Sequence, residues 1–278
     1  MKVCVTGGRG FIGSHLVDAL IERGDEVGVL DNGVSGDNVN PDAEYLVWDL
    51  RDAPNLTGYE AIFHTAAIGR TPWAIADPIL CWQTNLMASV KLLEAAKRDE
   101  VKRVVLSSSN IVYAAETPYK ASKLAMEHAA KVYADLYELP TICLRYANVY
   151  GSRQREDGIG PNVFASLRKT LAEKGHVEIT GDGNQSRDFI HVSDVVKANL
   201  LAAQSETTGE YDICTGINWS MNQIAGLLQA KVVHIGERRG DIRHIRQDPV
   251  PASQDLGFVA SVKLEDGITD SFPALVAV

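Results

Sequence analysis

The chain has 278 residues, 45% hydrophobic and 23% charged, which is ordinary for a globular protein with a normal core and no need of covalent staples. A net charge of −9 argues against a general nucleic-acid binder, although a few local cations would suffice for a phosphorylated small molecule. No apolar run approaches the roughly 18–20 residues of a membrane span, and MKVCVTGG lacks the marks of an export signal, so no membrane contact and a cytoplasmic location are expected.

In chain order, an apolar strand over 2–6 runs into Gly-Gly-Arg-Gly. The spacing of Ile12, Leu16 and Leu20 then predicts a helix over 11–23, stopped by Gly24. Strands are expected over 26–30, 44–47, 61–64, 104–107 and 141–145, and helices over 79–99 and 119–137. Strands alternating with helices imply an α/β protein with a parallel sheet covered on both faces. After Tyr150 the composition shifts, and GSRQREDGIGP over 151–161 reads as a loop near a domain boundary. A helix over 162–174, a strand over 177–180 and a helix over 192–203 follow, while the charged, turn-rich stretch 236–257 reads as loops over a site. Two units are therefore expected, 1–150 and a smaller α/β unit over 151–278, with segments around 188–215 packing back on the first. Cys4, Cys81, Cys143 and Cys214 are scattered without a C-x-x-C pair and read as buried, reduced thiols.

TGGRGFIGSHL joins the first strand to the first helix. Gly8, Gly10 and Gly13 fit G-x-G-x-x-G, and Gly7, Gly10 and Gly13 fit G-x-x-G-x-x-G. Glycines let the backbone approach a pyrophosphate, and the helix N-terminus offers free N–H groups and a positive dipole end. Asp31 stands eighteen residues beyond Gly13, at the end of the second strand. Its carboxylate can accept hydrogen bonds from an adenosine ribose and repels a 2′-phosphate, which favours NAD over NADP. Arg9 lies in the same loop and could help bind a phosphate. Strand, glycine turn, helix and acid together predict a doubly wound Rossmann sheet over 1–150 as the NAD-binding domain.

Within TPYKASKLAMEH, Tyr119 and Lys123 are spaced to share one helix face, ten and fourteen residues after Ser109. An ammonium beside a phenol favours the phenolate, which is one way to make a general base from a weak acid. Two surface side chains at helical spacing are the plainer reading of that pair alone.

The segments TGGRGFIGSHL, LDNGVSG, WDLRD, HTAA, SSSNIVY, YKASK, LRYANVYGSRQ and GDGNQSRDFIHVSDV occur in this order. Together they resemble the extended short-chain dehydrogenase/reductases of the nucleotide-sugar epimerase/dehydratase family, and within it the UDP-galactose (UDP-glucose) 4-epimerases, over nearly the whole chain. The resemblance implies that Tyr119 is the base for the sugar 4-hydroxyl and that Ser109 bonds the same oxygen. Lys123 would contact the nicotinamide ribose and lower the Tyr119 pKa, with Ser107 and Ser108 packing or capping. It implies further NAD contacts. Phe11 and Ile12 would start the phosphate helix beside Gly7, Gly10 and Gly13. Asp31, Asn32 and Ser35 would hold the adenosine end, Asp49 and Leu50 the adenine, and Ala66, Ala67 and Asn85 the dinucleotide, with Tyr146 near the nicotinamide. For a UDP-sugar it implies Asn148 and Arg187 at the diphosphate, Arg238 and Asp241 near pyrophosphate and ribose, and Asn162 and Val163 at the uridine. The planar fork of arginine suits a diphosphate. His64 reads as a strand-end histidine, and no cluster has metal-ligand spacing.

The reaction implied is NAD-dependent 4-epimerisation of a UDP-sugar, glucose/galactose or their N-acetyl forms, through a transient 4-keto sugar and NADH. A sugar-nucleotide 4,6-dehydratase would want a carboxylate after the catalytic Ser or Thr, where this chain has Asn110-Ile111. A keto-sugar reductase would tend to use NADPH, and a non-catalytic NAD sensor would typically lose the Tyr/Lys pair. Only AAETP separates Tyr113 from Tyr119, a loop shorter than the family usually has, which would either open the pocket to larger sugars or displace Tyr119. The resemblance also implies a homodimer through a four-helix bundle of the helices carrying Asn85 and Tyr119.

Overall fold

A computed structural model describes residues 1–34, 36–114, 116–154, 163–236 and 243–272. The first half runs β1 (Lys2–Thr6), α1 (Phe11–Glu22), β2 (Glu26–Asp31), β3 (Glu44–Val47), β4 (Ala61–His64), α2 (Thr71–Ala76), α3 (Pro78–Trp82), a π-helical turn at Gln83–Met87, α4 (Ala88–Arg98), β5 (Arg103–Ser109), α5 (Pro118–Tyr137) and β6 (Thr141–Tyr146). It continues with β7 (Asn148–Tyr150), α6 (Val163–Lys174), β8 (Val177–Thr180), β9 (Ser186–His191), α7 (Val192–Gln204), β10 (Gly209–Ile213), β11 (Asn218–Ser220), α8 (Met221–Leu227), β12 (Val232–Ile235), α9 (Val250–Leu256) and α10 (Leu264–Ser271).

Seven strands form one sheet in the order β10-β6-β5-β4-β1-β2-β3, and every pairing in it is parallel. The five inner strands, β6, β5, β4, β1 and β2, are buried at nearly every position because both faces are covered, whereas the edge strands β3 and β10 are partly exposed. Val3 and Val5 face one core with Leu16, Val17 and Leu20 of α1 and Val195, Ala198 and Ala202 of α7. Cys4 between them faces the other core, with Leu92 and Leu93 of α4 and Met126 and Ala130 of α5. This is the doubly wound α/β sheet that the strand–helix alternation predicts. Strand order reverses between β1 and β4, and the strand ends at such a switch point form the crevice in which ligands bind.

A second group of elements comprises the sheet β11-β9-β7 and the parallel pair β12-β8. They share a third core built on Tyr150, Phe164, Phe189, Ile224 and Phe272.

Local chemistry explains the element ends. Gly24, at φ +87, turns the chain after α1, and the N–H groups of Gly24 and Asp25 bond back to Ile21 and Leu20. Pro118 opens α5 while the Thr117 hydroxyl accepts from the Lys120 N–H at 3.1 Å.

Two expectations need correction. The single helix expected over 79–99 is three segments, because five residues wind as a π turn around the buried Asn85. The stretch 236–257 is not all loop. Residues 250–256 are the helix α9, which drives Ala252 and Leu256 into the main core. The four cysteines are buried and free.

Candidate active site

At the switch point the glycine loop folds tightly on itself. Gly7 has φ +73, and a Cβ there would lie 2.7 Å from the backbone nitrogen of Ala66, just past β4. A Cβ on Gly13 would come 2.2 Å from the carbonyl oxygen of Gly7. Gly10 is the N-cap of α1 and no side chain caps that end, so the first-turn N–H groups of Phe11 and Ile12 are free to meet an anion.

Asp31 ends β2, 7% exposed, and its two oxygens accept from the Arg9 N–H at 3.0 Å and the Gly33 N–H at 2.7 Å. The carboxylate thus shapes the loop. The Arg9 guanidinium lies over the Tyr45 ring, 5.2 Å from its centre. Asn32 bonds Asp49, and Arg51 grips Asp49 through Nε at 2.9 Å and Nη2 at 2.5 Å. The Arg51 guanidinium is the main reason the Asp49 carboxyl is held down to about 2. Ser35 and the side chain of Leu50 lie outside the described residues. Glycine cradle, uncapped helix end and acid suit the diphosphate and adenosine of NAD.

Behind the loop runs a buried polar chain. Thr6 Oγ1 is 2.7 Å from His64 Nδ1, His64 Nε2 is 2.8 Å from Ser89 Oγ, and the Ser89 hydroxyl donates to the Asn85 carbonyl at 2.7 Å. The Asn85 side chain accepts from the Ile68 N–H and donates to the Ile68 carbonyl and to Ser122 Oγ, which ties the residues after β4 to α5. Ala66 and Ala67 are half-buried in that same connection. Among the described residues no cluster of His, Cys, Asp and Glu could hold a metal ion.

Ser109 ends β5, and its hydroxyl accepts from the Ile111 N–H and hydrogen-bonds the Tyr119 phenol. Tyr119, 9% exposed, is one helical turn from Lys123, 3% exposed. The Lys123 ammonium donates to the Ser107 carbonyl at 2.7 Å. Burial lowers Lys123 to about 8, opposed by Cys143, Glu127 and Cys81. Burial raises Tyr119, and the Ser109 hydrogen bond is what works against it. The depression of Tyr119 by Lys123 expected from their spacing is therefore not present in this state. Loss of solvation dominates at the phenol, and the ammonium is directed at the Ser107 carbonyl.

Ser107 and Ser108 do more than pack or cap. Ser107 Oγ bonds the Tyr146 phenol at 3.0 Å, and Ser108 Oγ donates to Glu127 at 2.5 Å. The Tyr146 phenol is also bonded to Asn199 of α7, so its hydroxyl is engaged within the core.

Of the residues expected at the substrate, the pairing of β7 with β9 sets Asn148 beside Phe189, two residues from Arg187. Arg187 is half-buried and donates to the Ser186 carbonyl at 2.8 Å. Val163 opens α6. Asn162, Arg238 and Asp241 lie outside the described residues.

Residues 3–214 match the NAD dependent epimerase/dehydratase family. The chain belongs to this family. A putative UDP-glucose 4-epimerase of Methanocaldococcus jannaschii is 32% identical, the alignment covering 96% of this chain and 95% of that protein. The solved UDP-glucose 4-epimerase of Thermotoga maritima with UDP-glucose superposes at a TM-score of 0.92 with 33% identity, covering 98% of this chain and 97% of that one. The UDP-N-acetylglucosamine 4-epimerase of Methanobrevibacter ruminantium, in complex with UDP-N-acetylmuramic acid, superposes at 0.92 with 33% identity, covering 97% and 96%.

For a member of the NAD dependent epimerase/dehydratase family, the sequence reading left out Glu127 and Arg145. Arg145 grips the Glu127 carboxylate through Nε at 2.9 Å and Nη2 at 2.7 Å. The signal was present, since Glu127 continues the four-residue spacing of Tyr119 and Lys123.

Proposed function

We propose that this chain is an NAD-dependent 4-epimerase of a UDP-sugar, of the glucose/galactose or N-acetylated type. The observation that carries it is Ser109, Tyr119 and Lys123 gathered where β5 and α5 meet. When bound, NAD supplies the oxidant for C4 of the sugar and the reductant that restores it. Tyr119 takes the proton of the 4-hydroxyl as C4 becomes a carbonyl, and returns it to the same oxygen once the sugar has turned over and C4 is reduced from its other face. Ser109 hydrogen-bonds that oxygen. Lys123 stabilises the phenolate once proton transfer makes it, because an adjacent ammonium favours the charged form. Asn148 and Arg187 hold the diphosphate while the sugar turns, so binding energy sits away from the reacting carbon. The division of labour follows, with 1–150 serving NAD and 151–278 the nucleotide sugar.

The residue after Ser109 is Asn110, which offers no carboxylate for elimination of water, and this sets a 4,6-dehydratase aside. The retained Tyr/Lys pair does the same for a non-catalytic sensor. We include in the proposal a homodimer through α4 and α5 and a cytoplasmic location. Val132 and Leu136, one turn apart on α5, are 46% and 70% exposed, an apolar stripe suited to a partner helix.

Incubation with NAD and either UDP-galactose or UDP-N-acetylglucosamine, followed by proton NMR, tests the activity. The C4 epimer is the expected product, and the faster substrate identifies the sugar class. A 4-keto-6-deoxy product, or no turnover of either sugar while NAD still binds, would overturn the proposal.

A further inference from the structure

Three consecutive residues of β5 are each bonded to a different turn of α5. Ser109 meets Tyr119, the Ser107 carbonyl meets Lys123, and the Ser108 hydroxyl meets Glu127. Tyr119, Lys123 and Glu127 are spaced four residues apart and share one face of the helix. The last rung is the most heavily built. The Glu127 side chain is 4% exposed and accepts from Ser108 at 2.5 Å and from Arg145 at 2.9 and 2.7 Å. Ser108 and Arg145 are direct neighbours across the β5–β6 pairing, so one carboxylate clamps two strands to one helix.

Arg145 reaches further. Its Nη1 donates to the Tyr113 hydroxyl at 2.9 Å, and that hydroxyl donates to Asp212 of β10 at 3.0 Å. Tyr113 closes the turn that follows Ser109, immediately before the short connection to Tyr119. The ion pair therefore braces both ends of that connection, Tyr113 at one end and α5 at the other. Removing one partner of such a pair leaves a buried charge uncompensated, so the geometry around it is held firmly.

We propose that Glu127 is a positioning residue of this site: by holding Ser108 and Arg145 it sets α5 against β5 and β6, and so sets Tyr119 and Lys123 against Ser109. The proposal rests on the epimerase reading for its kinetic consequence. Glu127 also acts through charge. The groups facing Lys123 are Tyr119 and Glu127 on its own helix, Cys81 on α3, Cys143 on β6 and His64 on β4. Burial keeps the two thiols, the phenol and the imidazole neutral near pH 7, which leaves the Glu127 carboxylate, itself paired with the Arg145 guanidinium of β6, as the charge that supports the ammonium; without it Arg145 would stand uncompensated and disfavour the ammonium further.

The test compares Glu127→Gln and Ser108→Ala with the unchanged full-length protein, each with NAD and UDP-galactose. Glu127→Gln is expected to lower kcat by about 10- to 100-fold, the scale of a small misplacement of reacting groups, with KM and NAD affinity within about threefold. The alkaline limb of its kcat profile should move to lower pH, because the ammonium loses its supporting charge. Ser108→Ala loosens the clamp and keeps the charge, so kcat should fall by about 3- to 10-fold with the limb unmoved. Titration of lysine labelled with 13C at Cε reads Lys123 independently of turnover, and Lys123 should titrate at lower pH in Glu127→Gln alone. If the unchanged protein makes no epimer, the functional reading fails, while this titration still decides the role of Glu127. A Glu127→Gln protein with unaltered kcat and Lys123 titration would overturn the inference. So would a loss of kcat that follows only the folded fraction measured by thermal melting, with both pH profiles unmoved.

Discussion

The hydroxyl of Thr6 and Nδ1 of His64 stand 2.7 Å apart, inside a chain whose hydrogens are fixed by its far end. Ser89 donates to the Asn85 carbonyl, so its oxygen must accept from His64 Nε2–H, and Nδ1 is left to accept from Thr6. The ring is neutral, and burial lowers its pKa to about 3. Unfolded, the same ring takes up a proton below about 6.5. The unfolded state therefore binds more protons between about pH 6.5 and 3, and stability present above that window is lost as pH falls through it. Denaturant unfolding as a function of pH should show this group contributing at most about 1.4 kcal/mol per pH unit. His64→Gln should flatten that part of the curve, and an equally steep acid limb in the variant would contradict the assignment.

Replacing Tyr119 with Phe removes one hydroxyl and keeps the ring in its buried place. The expected outcome is a fall in kcat of about 10²- to 10⁴-fold, the range for lost general acid–base catalysis, with NAD and UDP affinities retained. Equilibrium binding measured beside turnover checks it, and turnover equal to that of the parent would remove Tyr119 from the mechanism.

Gly13→Ala should damage the nucleotide end without touching α5. The added methyl would meet the Gly7 carbonyl at 2.2 Å, so the loop must shift. Overpacking of this kind costs about 1–3 kcal/mol, read as a lower melting temperature together with weaker NAD binding. An unshifted melting curve with intact NAD affinity would mean that the loop is looser than its geometry indicates.

Val132→Glu with Leu136→Glu places two carboxylates on the exposed apolar stripe of α5. Light scattering at micromolar concentration should give a dimer for the parent and a monomer for the double variant. A parent that is already monomeric would sink the dimer proposal.

Much of the sheet was legible because its strands are short apolar runs flanked by turn residues, and 2–6, 44–47, 61–64 and 177–180 coincide with observed strands. Residues 148–150, 186–191 and 218–220 were harder to see. They pair only through tertiary contacts, and a stretch such as Ser186–His191, with Arg187 and Asp188 inside it, carries no apolar alternation. The π turn was invisible for a related reason, since its residues are ordinary helix formers and the extra residue per turn is set by what Asn85 must bond. At the site, the four-residue spacing of Tyr119 and Lys123 announced a shared face. That burial would raise the phenol required knowledge of what covers it. Arg145 could not be placed beside Ser108 without the register of two strands whose pairing residues lie 37 positions apart.

The last strand of the seven-stranded sheet, Gly209–Ile213, joins parallel to Thr141–Tyr146. A nascent chain that has left the ribosome only as far as residue 150 therefore carries an open strand edge, with no partner for Ile142 or Leu144 on that side. Exposed edges of this kind invite pairing with other chains. Asp212, which anchors Tyr113, is also still unsynthesised at that stage. The corner that holds Ser109, Tyr113 and Tyr119 thus reaches its final form only after the chain has passed through β7, β8 and β9 and come back, so its assembly awaits residue 212 of the 278.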